Sequence, residues 1–437
     1  MKLMKHIFFA ARGGHLCVTL MLFSCLTASM ARARYWNAPG RHGWVLIDRQ
    51  GRPLTRPGLG PIYGSRWSSY FLVCPYGRDS TAVLDGRGKI VLRAKHGQTF
   101  QGQLFGGLVP DARLRYRDGN IDIGPCGFVT LRGVPMVPQI LGSGSWYFWD
   151  GLAAARLHGH KLYGFIDEHG HWVVPPKYFY ATGLGPVGLA AVEIHQHPRQ
   201  WGFVDATGRL AFTLPKGWHV GPFWVGFTTD RLARVWRGRG PTTGRLVDHG
   251  FAYQVTPQPE KVNREYGFIN MLGKLVIPMR HYADIGRFFR DGRVCFAVLR
   301  AGRKCWGYMD RQGRIVVSPQ LYYASSFHER LALVQIAKNT ELPTSYAYIN
   351  REGKVVLRFG ASSPMPEDGF RDGRALVTVE QGGHTLCGFI NMRGQVVVPT
   401  RYRYASNFHN GVAAVELPPR NANPATEPAK RGPDPQK

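Results

Sequence analysis

The sequence is short of acid. Its 437 residues hold 28 Asp and Glu against 56 Lys and Arg, a formal charge of +28. So few carboxylates leave no pair suited to glycoside chemistry, since five of them sit in turns. Past the N-terminal segment no run of 18 apolar residues occurs, which excludes a membrane-spanning helix. Cys-x-x-Cys, Gly-x-Ser-x-Gly, His-Glu-x-x-His, phosphate-loop and calcium-loop motifs are all missing. Gly142-Ser143-Gly144-Ser145 lacks the spacing of a nucleophile elbow, and Asp118-Gly119-Asn120-Ile121-Asp122 has too few ligands for calcium. No residue is thereby a candidate for catalysis or cofactor binding, and no cofactor is expected.

The two ends read differently from the middle. Residues 1–31 begin with Lys2, Lys5 and Arg12, carry no acid, and continue into the apolar stretch CVTLMLFSCLTA. This pattern predicts a signal peptide, with Ala28, Ser29, Ala31 and Ala33 offering cleavage sites. The alternative is lipidation of Cys25 in Leu22–Cys25, which would tether the chain peripherally to a membrane. Either way the chain is expected to be exported, to a bacterial periplasm or cell surface. Residues 418–437 are Pro-rich and expected to be disordered. Cys126 and Cys387 precede a Gly in a slot that is aromatic elsewhere, which predicts small buried thiols. Cys295 and Cys305 flank a predicted hairpin and are the pair suited to a disulfide.

Between the ends one message repeats. Asp or Asn followed three residues later by Gly occurs at Asp48/Gly51, Asp85/Gly88, Asp167/Gly170, Asp205/Gly208, Asn270/Gly273, Asp310/Gly313, Asn350/Gly353 and Asn391/Gly394, with Thr130/Gly133 as a degenerate ninth. The first residue suits the start of a β-turn and the Gly suits a positive φ, so these read as hairpin turns. An aromatic-Gly-aromatic-aliphatic run precedes each turn, as in Trp201-Gly202-Phe203-Val204. An apolar run ending in Pro follows, as in Leu275-Val276-Ile277-Pro278. Proline donates no ladder bond, so it is placed at the strand end. A third strand comes before, as in Gly188–Val192 and Gly411–Val415. The units are linked by a Tyr-x-x-Ala-x-x-Phe-like segment.

The pattern predicts an all-β domain over residues 32–417, a tandem array of about nine three-stranded antiparallel meanders, each of about 40 residues and stable only when stacked. The units resemble the WG-repeat family of β-repeat proteins, with Trp-Gly intact at Trp201-Gly202 and Trp306-Gly307. The resemblance implies a bacterial β-rich scaffold and carries over no catalytic residues. The array opens on a hairpin and ends on an orphan first strand at Gly411–Leu417. That offset fits a propeller-like ring closed by its last strand, with a β-superhelix as the alternative.

Two departures mark where a site is expected. The turn glycines lie 37 to 45 residues apart except for one gap of 65, which places an insertion near 239–262. His158, His160, His195 and His197 occupy the same inter-strand loop one unit apart and are the candidate metal ligands, against a reading as exposed loop histidines. His169 and His171 fall roughly 20 Å away, at about 3.3 Å per residue of strand. Arg residues are spread along the chain rather than run together, which speaks against a nucleic-acid site and for a solvated basic surface. The expected function is an exported, non-catalytic repeat scaffold binding a protein or an anionic envelope polymer. The alternative is a cell-envelope hydrolase or polysaccharide-modifying enzyme.

Overall fold

The computed structural model of the chain describes residues 43–418 except 58, 65–68, 74–80, 96–97, 101–106, 118–119, 143–147, 221–226, 240–262 and 339–342. The leader, the insertion (but for Arg239) and the tail (but for Pro418) therefore lie outside the described residues, as does Cys74. No helix among the described residues is long and apolar enough to cross a membrane.

Strands pair antiparallel in chain order, in nine separate small sheets that form a ring. Eight are continuous in sequence: Ile62–Arg93, Gln98–Leu141, Leu152–Tyr178, Tyr180–Thr213, Trp218–His281, Asp284–Leu321, Tyr323–Arg358 and Met365–Tyr402, here blades 1 to 8. Blade 9 is composite. Tyr404–Ala405 and Val412–Glu416 are joined by Trp44–Asp48 from the other end of the chain, in register from Trp44↔Glu416 to Asp48↔Val412. Leu417 N also donates to Gly43 O at 3.0 Å. The orphan last strand completes the first hairpin, and the molecule is a closed nine-bladed β-propeller.

The core lies between blades. The Leu-Ala-Ala-Val strands are buried on both faces because each face meets a neighbouring sheet. Leu152, Ala154 and Phe165 of blade 3 pack with Ala190 and Val192 of blade 4. The closing strand is gripped from both sides: Val45 and Ile47 meet Phe389 and Val398 of blade 8, while Leu46 meets Ile62 and Phe71 of blade 1.

Two features differ from the sequence expectation. Seven of the nine sheets have four strands, not three. The linking Tyr-x-x-Ala segment supplies the extra one, as Tyr180–Ala181 and Tyr323–Ala324. Two residues are too few to display an alternating pattern. Proline also lies within the fourth strand rather than at its end, at Pro138, Pro278, Pro319 and Pro399. The fourth strand is a sheet edge, where a missing N–H leaves no ladder partner wanting and blocks pairing with another chain.

All nine Asp/Asn/Thr-x-x-Gly turns form, between the last two strands of blades 1 to 8 and after Trp44–Asp48 in blade 9, and every one of their glycines has a positive φ, from 74° to 86°. A second class of turn joins the first and second strands. Asp150-Gly151, Asp291-Gly292, Asp372-Gly373 and Asn410-Gly411 have positive φ at both positions, as a two-residue type I′ hairpin requires. Blade 7 instead holds Glu329 at 51° and Arg330 at 68°. A left-handed non-glycine residue costs about 1–2 kcal/mol, only part of which glycine's extra chain entropy offsets. Arg330→Gly is therefore expected to stabilise the protein by about 0.5–1 kcal/mol in guanidinium unfolding.

Candidate functional site on the turn rim

Because each blade is an up-and-down meander, both turn classes project from one rim, and the second-to-third strand connections project from the other. The histidine candidates belong to the second rim. His158 and His160 lie in the turn after Leu152–Ala155, His195 ends Ala190–Gln196, and His197 follows in the next turn; all four are exposed. No group of three or more His, Cys, Asp or Glu among the described residues is placed to hold a metal ion. His169 and His171 are on the turn rim, where His171 lies 3.3 Å from Asp167.

The four described cysteines are free, buried thiols. Cys126 and Cys387 are buried in their aromatic slots, and burial pushes their pKa values up to about 12 and about 11. Cys295 and Cys305 are both free. Cys295 pairs across the ladder with Tyr308 and Cys305 with Val298, so three rungs separate them, too far to bridge.

On the turn rim the acids are committed to the backbone. Asp310 Oδ1 accepts from Gln312 N at 2.9 Å and Arg314 N at 3.0 Å, and Oδ2 from Arg314 Nε at 2.7 Å. Burial pulls this carboxyl upward, but the Arg314 contact and the two amides outweigh it and hold the pKa below the usual carboxylate range. The type I′ turns are linked from blade to blade by side chains. Asp291 accepts from Arg330 N at 2.8 Å, Glu329 from Gly373 N at 2.9 Å, and Asp372 from Gly411 N at 2.7 Å. Asn410 continues the relay across the closure to Ser69, at 3.1 Å.

The cations of the same rim are less committed. Counted from the Asp, Asn or Thr through the residue after the Gly, seven of the nine Asp/Asn/Thr-x-x-Gly turns carry one more Lys or Arg than Asp or Glu. Where blades 6 and 7 meet, a cleft of about 460 Å³ is lined by Asp291, Arg293, Asp310, Arg311, Arg314 and Arg351, with Gly292 and Gln312. Arg311 pairs with Asp230 of blade 5, and Arg293 Nε donates to Arg351 O at 2.9 Å. The Arg351 guanidinium has no hydrogen bond or ion pair among the described residues. Arg311 and Arg314 are ion-paired and Arg293 is bonded to backbone carbonyls, which leaves Arg351 as the guanidinium of the opening able to meet an anionic ligand. Sequence reading missed this cleft, although the pentapeptide Phe-Arg-Asp-Gly-Arg, at 289–293 and again at 370–374, was its available signal.

Several solved structures resemble the chain at low identity. A eukaryotic initiation factor is 12% identical over 87% of this chain and 98% of its own, with a TM-score of 0.48. Dipeptidyl peptidase 4 of Porphyromonas gingivalis is 10% identical over 78% and 59%, also at 0.48. The β-propeller domain of the Trilobed protease from Pyrococcus furiosus is 9% identical over 69% and 98%, at 0.35. Scores of this size carry nothing about function. Among curated proteins none matches the chain. The WG containing repeat, however, matches residues 163–195, 266–300, 306–339 and 388–417. Those four segments of the chain are WG-containing repeats.

Proposed function

We propose that this protein is an exported, non-catalytic propeller that binds an anionic polymer of the cell envelope through its turn rim. The arginine-lined cleft between blades 6 and 7 carries the reading, because its acids are spent within the fold while Arg351 stays available. Guanidiniums bind carboxylate and phosphate in a bidentate manner, and repeat arrays mainly present surfaces. The export half rests on the basic, then apolar, residues 1–31. A hydrolytic role would need two free carboxylates facing one opening, and Asp291 and Asp310 are both engaged.

The test is binding of the mature chain to an immobilised anionic polysaccharide at about 50 mM and about 500 mM salt, since screening weakens exposed charge contacts. The double charge reversal Arg314→Glu/Arg351→Glu is expected to weaken low-salt binding at least about tenfold, as contacts to charged groups are worth roughly 1.5–3 kcal/mol each. Equal binding by the reversed and natural proteins would sink the reading.

A further inference from the structure

The last strand of a blade turns a row of backbone groups away from its sheet, a template on which a foreign strand can pair. Five blades interrupt that row with proline: Pro138 in blade 2, Pro175 and Pro176 in blade 3, and Pro278, Pro319 and Pro399 in blades 5, 6 and 8. In blade 9 Pro53 lies against Ile47, on the side away from Ala413. Blades 1, 4 and 7 carry no proline in their last strands, Ile90–Arg93, Leu210–Thr213 and Val355–Arg358. The unblocked edges thus fall at every third place of the nine-bladed ring.

Their backbone is available for pairing. Leu214 N donates inward to Trp201 O at 2.8 Å, and Ala94 N to Thr81 O at 2.9 Å. Antiparallel ladders alternate, so the residues before them, Thr213 and Arg93, turn N–H and C=O outward. Among the described residues no further strand pairs with these edges. Leu210, Val355 and Val356 are exposed although apolar. The side chains share a pattern as well. Lys89-Ile90-Val91-Leu92-Arg93 and Lys354-Val355-Val356-Leu357-Arg358 differ at one position, and Arg209-Leu210-Ala211-Phe212-Thr213 follows them with Lys216 beyond. An apolar strand is bracketed by exposed cations. Arg209 meets Asp205 at 3.3 Å, whereas the Lys89, Arg93, Lys354 and Arg358 side chains have no hydrogen bond or ion pair among the described residues. Within three residues of the three strands Glu352 is the only acid.

These cations select the partner. A second copy of the chain, pairing antiparallel and in register on the blade 7 edge, would set Lys354 opposite Arg358. Like charges face to face destabilise a ladder, and opposite charges support it. We infer that blades 1, 4 and 7 each receive an extended, acid-flanked peptide segment of a partner protein, added as a fifth strand. Main-chain bonds to the open edge hold the segment, and carboxylates at its ends meet the bracketing cations. The edges include none of the residues that line the cleft. Arg314→Glu/Arg351→Glu is therefore expected to leave them intact, so this inference and polymer binding fail separately.

Calorimetric titration of the full mature chain with a short peptide of alternating Val and Thr, ended by Glu on both sides, tests the inference. The same core ended by Lys is the control. Three Glu-ended peptides per chain are expected, one for each open edge. The Lys-ended peptide should bind about tenfold more weakly or worse. Lys354→Glu/Arg358→Glu is expected to lower the count to two, and so is Thr213→Pro, which removes an outward donor. The charge reversal changes only exposed side chains, so it stays informative if Thr213→Pro misfolds. No saturable binding, or a count that the charge reversal leaves unchanged, overturns the inference. Sedimentation of the chain alone should show no self-association. Association that Lys354→Glu/Arg358→Glu abolishes would put a second copy on the edge and overturn the acidic segment.

Discussion

Gly307→Ala is expected to destabilise the propeller by about 3 kcal/mol or more, and Gly202→Ala by only about 1 kcal/mol, although both glycines follow a Trp in the same motif. The reason is the ladder between the third and fourth strands. In blades 2, 3, 5, 6 and 8 its register slips twice, and the motif glycine is skipped without a partner. The slip lays backbone of the fourth strand over that glycine. A Cβ on Gly307 would lie 2.9 Å from Pro319 N and 3.0 Å from Pro319 Cα, with Val317 O closer still. Gly388 faces Val398 O at 2.6 Å and Gly267 faces Ile277 O at 2.7 Å in the same way. Backbone cannot give way without dismantling the bulge.

Blades 1, 4 and 7 slip once, and the slot residue there is paired: Ala82↔Arg93, Gly202↔Thr213 and Ala347↔Arg358. Two of the three already hold alanine. At Gly202 the nearest atoms are the side-chain tips Ile194 Cδ1, at 2.8 Å, and Leu210 Cδ1, at 2.9 Å, both able to move. Guanidinium unfolding of the two variants decides the matter. Equal losses would mean that the second slip is not what demands glycine.

Leu46→Asp and Ala414→Asp are each expected to cost more than about 4 kcal/mol, by burying a carboxylate that nothing pairs. Both residues are fully buried and face each other in the closing ladder. Because they damage one sheet, the double variant should be little worse than the worse single one, the non-additivity expected of residues in direct contact. An open array would have separated the two ends and made the losses add. Thermal and guanidinium unfolding of the three proteins measure the coupling, and additive losses would refute closure in solution.

What could be read from the residues followed the reach of local physics. The Asp310-to-Gly313 turn and its eight relatives were legible because an acceptor and a positive φ are needed within four residues. Closure was legible only as an offset, an opening hairpin at one end and Gly411–Leu417 at the other. The short first strands were not legible, since Tyr323–Ala324 pairs by two residues and shows no period. The histidines His158, His160, His195 and His197 stand on the other rim, and among the described residues no group of three or more potential ligands gathers there.

The pairing of Trp44–Asp48 with Val412–Glu416 also sets a timetable. Each of blades 1 to 8 is contiguous in the chain and can form soon after it is made. The closing sheet needs the first strand and the last, and the Asn410–Ser69 bond there spans 341 residues. Loop-closure entropy grows only logarithmically with length, so the finished ring bears little extra burden for that span. The delay falls on the nascent chain. At about 5–20 residues per second, the edge of Trp44–Asp48 waits roughly twenty seconds to over a minute for its partner. During that interval it is the strand most open to pairing with a stranger.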